Sequence, residues 1–171
     1  FNSDQFKINE KISYKITLFP KIESKKVNWN NLDYIIGGAP LLIYKNKIIK
    51  NYDDEKILKG FLIKKHARTA VGTLSNGNVI FVVLDRNESN RGMSIEELAK
   101  LMKKLGCEYA LNLDGGKSSS MVYNDKYLNT PFKEKYMDRY EFDRRVSDAI
   151  IITSKNWKEL LLNCFFYKIF N

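Results

Sequence analysis

Ser94-Ile95-Glu96-Glu97-Leu98-Ala99-Lys100-Leu101-Met102-Lys103-Lys104-Leu105-Gly106, followed at once by Cys107-Glu108-Tyr109-Ala110-Leu111-Asn112-Leu113-Asp114-Gly115-Gly116, is the stretch on which the fold turns. Ser94 with Glu97 three residues on is a capping box, which opens a helix. Ile95, Leu98, Ala99, Leu101, Met102 and Leu105 form an apolar stripe, Lys100, Lys103 and Lys104 decorate the outer face, and Gly106 stops the helix. The apolar run from Tyr109 predicts a strand that ends at Asp114. Upstream, Val79 to Leu84 is almost continuously apolar, which predicts a strand buried on both faces. Strand, helix and strand over this length predict a βαβ unit with a right-handed crossover. Ligands in such layers lie beyond the carboxyl ends of strands, where the Asp114 turn falls.

Working outward, Arg68 to Leu74 reads as a strand. Ser75-Asn76-Gly77-Asn78 is a hairpin turn, because Asn-Gly tolerates positive φ. Gly37-Gly38-Ala39-Pro40 is a turn that feeds Leu41-Leu42-Ile43-Tyr44, and Asn46 marks the next turn before Ile48-Ile49. Met121-Val122-Tyr123, Asn124-Asp125 and Lys126-Tyr127-Leu128 read as a second hairpin. The alternation of Ile12, Tyr14, Ile16 and Leu18 predicts a strand. Residues 131–143 read as a loop, and Val146 to Thr153 as an apolar strand. Residues 155–171 predict a C-terminal helix, too short to span a bilayer, which needs roughly 20 apolar residues. The expected fold is α+β: a mixed β-sheet core with a βαβ unit, hairpins and flanking helices, in one domain over residues 1–171. The chain begins at Phe1 rather than Met, so an N-terminal segment is expected to have been lost, and a cleaved signal peptide would leave no trace.

The chain has 171 residues, 44% of them hydrophobic, enough for a core of its own. No apolar run is long enough to be a transmembrane segment. The formal net charge is +9, with +7 carried by residues 1–70 and +2 by the rest. Such a balance attracts anionic polymers, and equally describes a Lys- and Asn-rich solvated surface. Lys outnumbers Arg 23 to 6 and no Arg–aromatic cluster occurs, so nucleic acid is not an expected partner. Two cysteines, Cys107 and Cys164, sit among apolar neighbours and make no disulfide framework. A single histidine, His66, rules out a multi-histidine metal site within one chain. No metal and no cofactor are implied, and the oligomeric state is not encoded.

The chemistry-bearing residues gather around Asp114. A strand ending in an acid, glycines and serines presents a carboxylate beside bare backbone N–H groups. Asp114 is the first candidate for a catalytic carboxylate. An Asp-Gly pair is equally the signature of a turn whose carboxylate caps its own backbone. Gly115 and Gly116 would let backbone N–H groups approach an anion, and Ser118 and Ser119 add donors. Asn112, two residues before Asp114, is expected on the same strand face. Asp85, at the end of the Val79–Leu84 strand, is the second carboxylate candidate, against a reading as a strand-end cap. His66 is a candidate acid or base, against a surface residue. Arg68 and Arg144, each next to a strand, have the side chain suited to bidentate phosphate binding. Arg91 would contact a ligand or neutralise Asp85 or Glu88.

Several blocks in order resemble the phosphodiester glycosidase family. They are Gly37-Gly38 before Pro40-Leu41-Leu42, then Arg68-Thr69-Ala70-Val71-Gly72, Arg91-Gly92-Met93, Asn112-Leu113-Asp114-Gly115-Gly116-Lys117-Ser118-Ser119, and Arg144 with Val146-Ser147 and Ala149-Ile150. Lys117 stands where the family usually has a third glycine, and Asp148 where it usually has Asn. The family's early Asn-Gly-rich motif is not visible.

The resemblance implies a hydrolase that cleaves a sugar-1-phosphodiester on an envelope glycan or glycoconjugate, outside the cytoplasm, in an exopolysaccharide-related setting. Its catalytic residues would be Asp114, Asp85 and His66. Its substrate- and phosphate-binding residues would be Arg68, Thr69, Asn112, Gly115, Gly116, Ser118, Ser119, Arg91, Arg144 and Ser147. The alternative is a non-catalytic carbohydrate- or anion-binding module of the same fold, which Lys117 and the excess of Lys would suit.

Overall fold

The strand β3, Arg68–Leu74, is the axis of the sheet. It pairs antiparallel with β4, Val79–Leu84, on one side and with β5, Cys107–Asn112, on the other. The computed structural model describes residues 9–11, 13, 35–86, 91–130, 146 and 149–153, with the backbone of 164–168. The chain divides into two compact units, Phe1–Ile36 and Gly37–Asn171, and the elements named here all belong to the second. Beyond β5 lie β1, Leu41–Tyr44, and β2, Lys47–Ile48. Beyond β4 lies β8, Cys164–Lys168, the one parallel pairing among the described residues. The order is β2-β1-β5-β3-β4-β8. A small separate ribbon, β6 (Val122–Tyr123) with β7 (Lys126–Tyr127), completes the strands described. The class is α+β.

Local chemistry explains the turns. Lys45 and Asn46 both take positive φ between β1 and β2, and Asn124 and Asp125 do so between β6 and β7. Two left-handed central residues are the two-residue turn whose twist matches a hairpin. The β3–β4 connection differs from the expected Asn-Gly turn. Only Gly77 is left-handed there, its N–H donates to Leu74 O at 3.0 Å, and the Asn78 N–H is taken by Asn76 Oδ1. This is the longer hairpin loop, in which an ordinary turn is followed by one left-handed residue.

The helix α2, Ile95–Lys104, begins as its capping box dictates: the Ser94 hydroxyl accepts from the Glu97 N–H, and the Glu97 carboxylate accepts from the Ser94 N–H. Ile95, Leu98, Ala99 and Met102 are buried, and α2 packs on β1 and β5. With Leu42, Ile43, Ala70, Ile80, Val82, Leu84, Cys107 and Ala110 they form one apolar core. Cys107 is a buried free thiol, and burial pushes its pKa up to about 11, so it is inert. A short helix α1, Lys59–Ile63, precedes β3. No helix among the described residues is long and apolar enough to cross a membrane.

The strands flanking α2 run in the same direction, with β3 inserted between them. The periodicity of each element is local, whereas its sheet neighbour is a tertiary choice. Two other expectations are corrected. Cys164–Lys168 is a strand rather than part of a helix. A run of mostly apolar residues serves either structure, and pairing along β4 decides it here. The described residues of the 146–153 run form no strand, and Val146 and Ile151 are exposed. The expected strand through Ile12 to Leu18, the loop over 131–143 and the helical reading of 155–163 lie outside the described residues.

The capping box and the core make separable contributions. Ser94→Ala should lower the unfolding free energy by about 1 kcal/mol. Leu98→Ala, which leaves a cavity under α2, should lower it by about 2–5 kcal/mol. Urea denaturation followed by circular dichroism measures both, and equal small losses would contradict the packing described.

Candidate functional site

The turn after β5 is laid directly onto the start of β3. Leu113 N–H donates to Thr69 O at 2.8 Å, and Gly116 N–H donates to Ala67 O at 2.8 Å. A Cβ on Gly115 would lie 2.9 Å from Ala67 O, and Gly116 takes φ +63°. Two successive glycines let the loop approach the backbone of residues 67–69 and then turn away from it. Asp114 lies two residues before Gly116, and His66 one residue before Ala67, the two residues joined by the second of these hydrogen bonds. Together with Arg68, Thr69, Asp85, Asn112, Ser118 and Ser119 they gather at one end of the sheet, where β4 and β5 finish and β3 begins.

Asp114 is exposed, and one carboxylate oxygen, Oδ1, accepts from Gly115 N–H at 2.9 Å. The self-capping turn is present, and it fixes one oxygen of an exposed carboxyl group. The N–H groups of Gly115 and Gly116 are both engaged within the protein, on Asp114 and on Ala67 O. Asn112 is not on the Asp114 face. β5 ends at Asn112, which is 1% exposed, and its Nδ2 donates to Ala39 O at 2.6 Å and Leu113 O at 3.0 Å. Its Oδ1 and the Ser118 Oγ are buried with no partner among the described residues. Such atoms are where an ordered water or a small movement would stabilise the loop most.

Arg68 is 1% exposed. Its Nε donates to Met93 O at 3.0 Å, and its Nη2 to Phe61 O and Lys64 O at 2.8 and 2.9 Å. The guanidinium lies 4.5 Å over the Phe61 ring. Burial lowers its pKa from the usual guanidinium value, yet the group stays cationic, as guanidinium does in proteins. The side chain expected to clamp a phosphate instead fastens α1 and the 93 segment onto β3. Arg91 is exposed, two residues before Met93.

Asp85 is also engaged. It is 9% exposed, with Oδ1 accepting from Asn129 Nδ2 at 2.9 Å and Oδ2 from Thr130 N–H at 2.8 Å. Asn129 extends this network: its Nδ2 also donates to Ser119 O, and its Oδ1 accepts from Met121 N–H. Ser119 is buried, with its Oγ 3.1 Å from Thr69 Oγ1. The strand-end cap is therefore the geometry Asp85 displays. Asn129 escaped the sequence reading because nothing local distinguishes it from any other loop Asn. Arg86 escaped too, and its Nη1 is 3.0 Å from His66 Nδ1. His66 is half-buried, and its pKa is lowered by burial first, then by Arg86, Arg68 and Lys64. Arg144 and Ser147 lie outside the described residues. Among those residues no three His, Cys, Asp or Glu side chains gather closely enough to hold a metal ion.

Replacing Asp85 tests the network. Asp85→Asn would set an amide against Asn129 Nδ2 or the Thr130 N–H, and should lower stability by about 1.5–3 kcal/mol. Unchanged stability in urea titrations would exclude the role given to Asp85.

The comparisons with known proteins bear on this sheet end. The profile of the phosphodiester glycosidase family matches residues 3–153. A bovine (Bos taurus) N-acetylglucosamine-1-phosphodiester alpha-N-acetylglucosaminidase is 31% identical over 86 residues, 50% of this chain and 16% of that protein. The SPbeta prophage-derived uncharacterized protein YomE of Bacillus subtilis is 35% identical over 66 residues, 38% of this chain and 10% of that protein. A solved structure of a hypothetical protein from Synechocystis superposes with a TM-score of 0.50 at 30% identity, over 56% of this chain and 18% of that one. The chain thus matches only a small part of these longer relatives. With a profile match across most of its length, the Asp114 loop included, the chain belongs to the phosphodiester glycosidase family.

Proposed function

We propose that this chain is a hydrolase that cleaves a sugar-1-phosphodiester on an envelope glycan or glycoconjugate, outside the cytoplasm. The family match over residues 3–153 carries the reading. The exposed carboxylate of Asp114 supports it, held by its own turn at the end of β5. Breaking the bond between an anomeric carbon and a phosphate oxygen passes through an oxocarbenium-like state. Asp114 would stabilise that positive charge, or take the proton of the attacking water.

Ordinary glycosidases need a second carboxyl group to protonate the departing alcohol. Here the leaving group is a phosphate monoester, whose second pKa is about 6, and it departs without a strong acid. That chemistry fits a site in which Asp85 is committed to Asn129 and Thr130. Thr69, Ser118 and Ser119 would shape the floor of the site, with Arg91, Arg144 and Ser147 as further candidates to meet the phosphate.

The expected outcome is that Asp114→Asn lowers release of free sugar from a synthetic sugar-1-phosphodiester by about a hundredfold to ten-thousandfold, with unchanged folding. Full activity in that variant would remove Asp114 from the mechanism. Binding of anionic glycan by the unaltered chain without turnover would favour the binding module instead.

A further inference from the structure

Arg86 directly follows Asp85 at the end of β4, and none of the matched blocks includes it. Its Nη1 stands 3.0 Å from His66 Nδ1. A guanidinium has donors only, so this contact is a hydrogen bond only when Nδ1 is bare and accepts. The single proton of the neutral ring then lies on Nε2. An imidazolium would set one N–H against another.

The rest of His66 is held as firmly. Its N–H donates to Met93 O at 3.1 Å, and its O accepts from Met93 N–H at 2.9 Å. The 92–93 segment lies so close that a Cβ on Gly92 (φ +73°) would fall 2.1 Å from His66 O. The charged surroundings favour the uncharged ring. Lys64 precedes it after α1, Arg68 follows on β3, and Arg86 faces it from just past the end of β4. Among the described residues, Glu97 is paired with Lys65, and Asp85 with Asn129 and Thr130. Asp114 and Lys117 lie on the loop bonded to Ala67.

We propose that Arg86 is a positioning residue that fixes His66 in the Nε2–H tautomer, making His66 a hydrogen-bond donor to a phosphate-like oxyanion rather than an imidazolium acid. The inference rests on the proposed reading only in taking His66 as part of the site. Burial and three cations keep the ring neutral as the pH falls past the ordinary histidine value of 6.5. A bound dianion would offset part of the effect of those cations, raising the midpoint on binding while Nδ1 still accepts from Arg86 at neutral pH.

His66 is the only histidine in the chain, so nitrogen-15 NMR of the full chain reports a single imidazole. The unaltered protein should show the Nε2–H tautomer at pH 7.5 and a titration midpoint below 6.5. Inorganic phosphate should shift the Nε2 signal and raise the midpoint. Arg86→Ala should give a mixture of tautomers with a midpoint nearer 6.5, and Arg86→Lys, which keeps a donor, should restore the single tautomer. An Nδ1–H tautomer in the unaltered protein overturns the proposal, and so does an Arg86→Ala spectrum identical to it. A phosphate-insensitive signal overturns the oxyanion role. These outcomes stand whether or not a sugar-1-phosphodiester is cleaved, so failure of the hydrolase reading would be seen separately, as absence of turnover.

Discussion

Both edges of β3 are consumed by antiparallel partners, and the rest of the structure follows from that placement. With β4 on one side and β5 on the other, the carboxyl ends of two strands flank the amino end of a third. Arg68 is paired with Leu84, and Ala70 with Asn112. The residues just past those ends, Asp85, Arg86, Leu113 and Asp114, are thus delivered to one place by backbone pairing alone. A one-residue slip in either ladder would turn Ala70 out of the core and Thr69 into it, which the packing against α2 forbids. The position of the candidate site is in this sense a consequence of core packing several residues away.

Among the described residues, two charged side chains, Arg68 and Asp85, are buried at this sheet end, and no salt bridge joins them. Arg68 is satisfied by three backbone carbonyls and a ring face, Asp85 by a backbone N–H and a side-chain amide. A buried charge is tolerable when hydrogen bonds replace its hydration, and removing those partners would cost several kcal/mol. Arg68 therefore ties α1 and Met93 to the sheet, while Asp85 ties down the segment after the β6–β7 ribbon. Both act as staples for loops that carry no core of their own. This division of labour leaves Asp114 as the exposed carboxylate of the loop.

What was legible in the sequence was local. The capping box of α2, the Asp114-Gly115 turn and the two-residue turn at Asn124-Asp125 each follow from residue types within four positions. What was not legible depended on partners distant in sequence. Arg68 looked like a phosphate ligand because nothing near it shows that Phe61, Lys64 and Met93 would present carbonyls to its guanidinium. Asp85 and Asn129 are 44 positions apart, and their bond exists only because the β6–β7 ribbon returns the chain to the end of β4. The insertion of β3 between the strands flanking α2 has the same origin. Periodicity names the elements, while side-chain fit chooses their order.

Under the proposed reading, the commitments of these side chains also narrow the chemistry. A sugar joined to an alcohol departs only if an acid protonates the bridging oxygen. Asp85 has both oxygens occupied, and burial with Arg86, Arg68 and Lys64 lowers the pKa of His66 and so favours its neutral form. A phosphate leaving group removes that requirement, because its charge is spread over non-bridging oxygens and needs donors and positive potential instead. The cations around His66 and the hydroxyls of the Asp114 loop are of the kind that serve this second demand. Under that reading, selectivity for a sugar–phosphate bond would come from positive potential and donors that meet the phosphate more than from an acid that protonates the leaving oxygen.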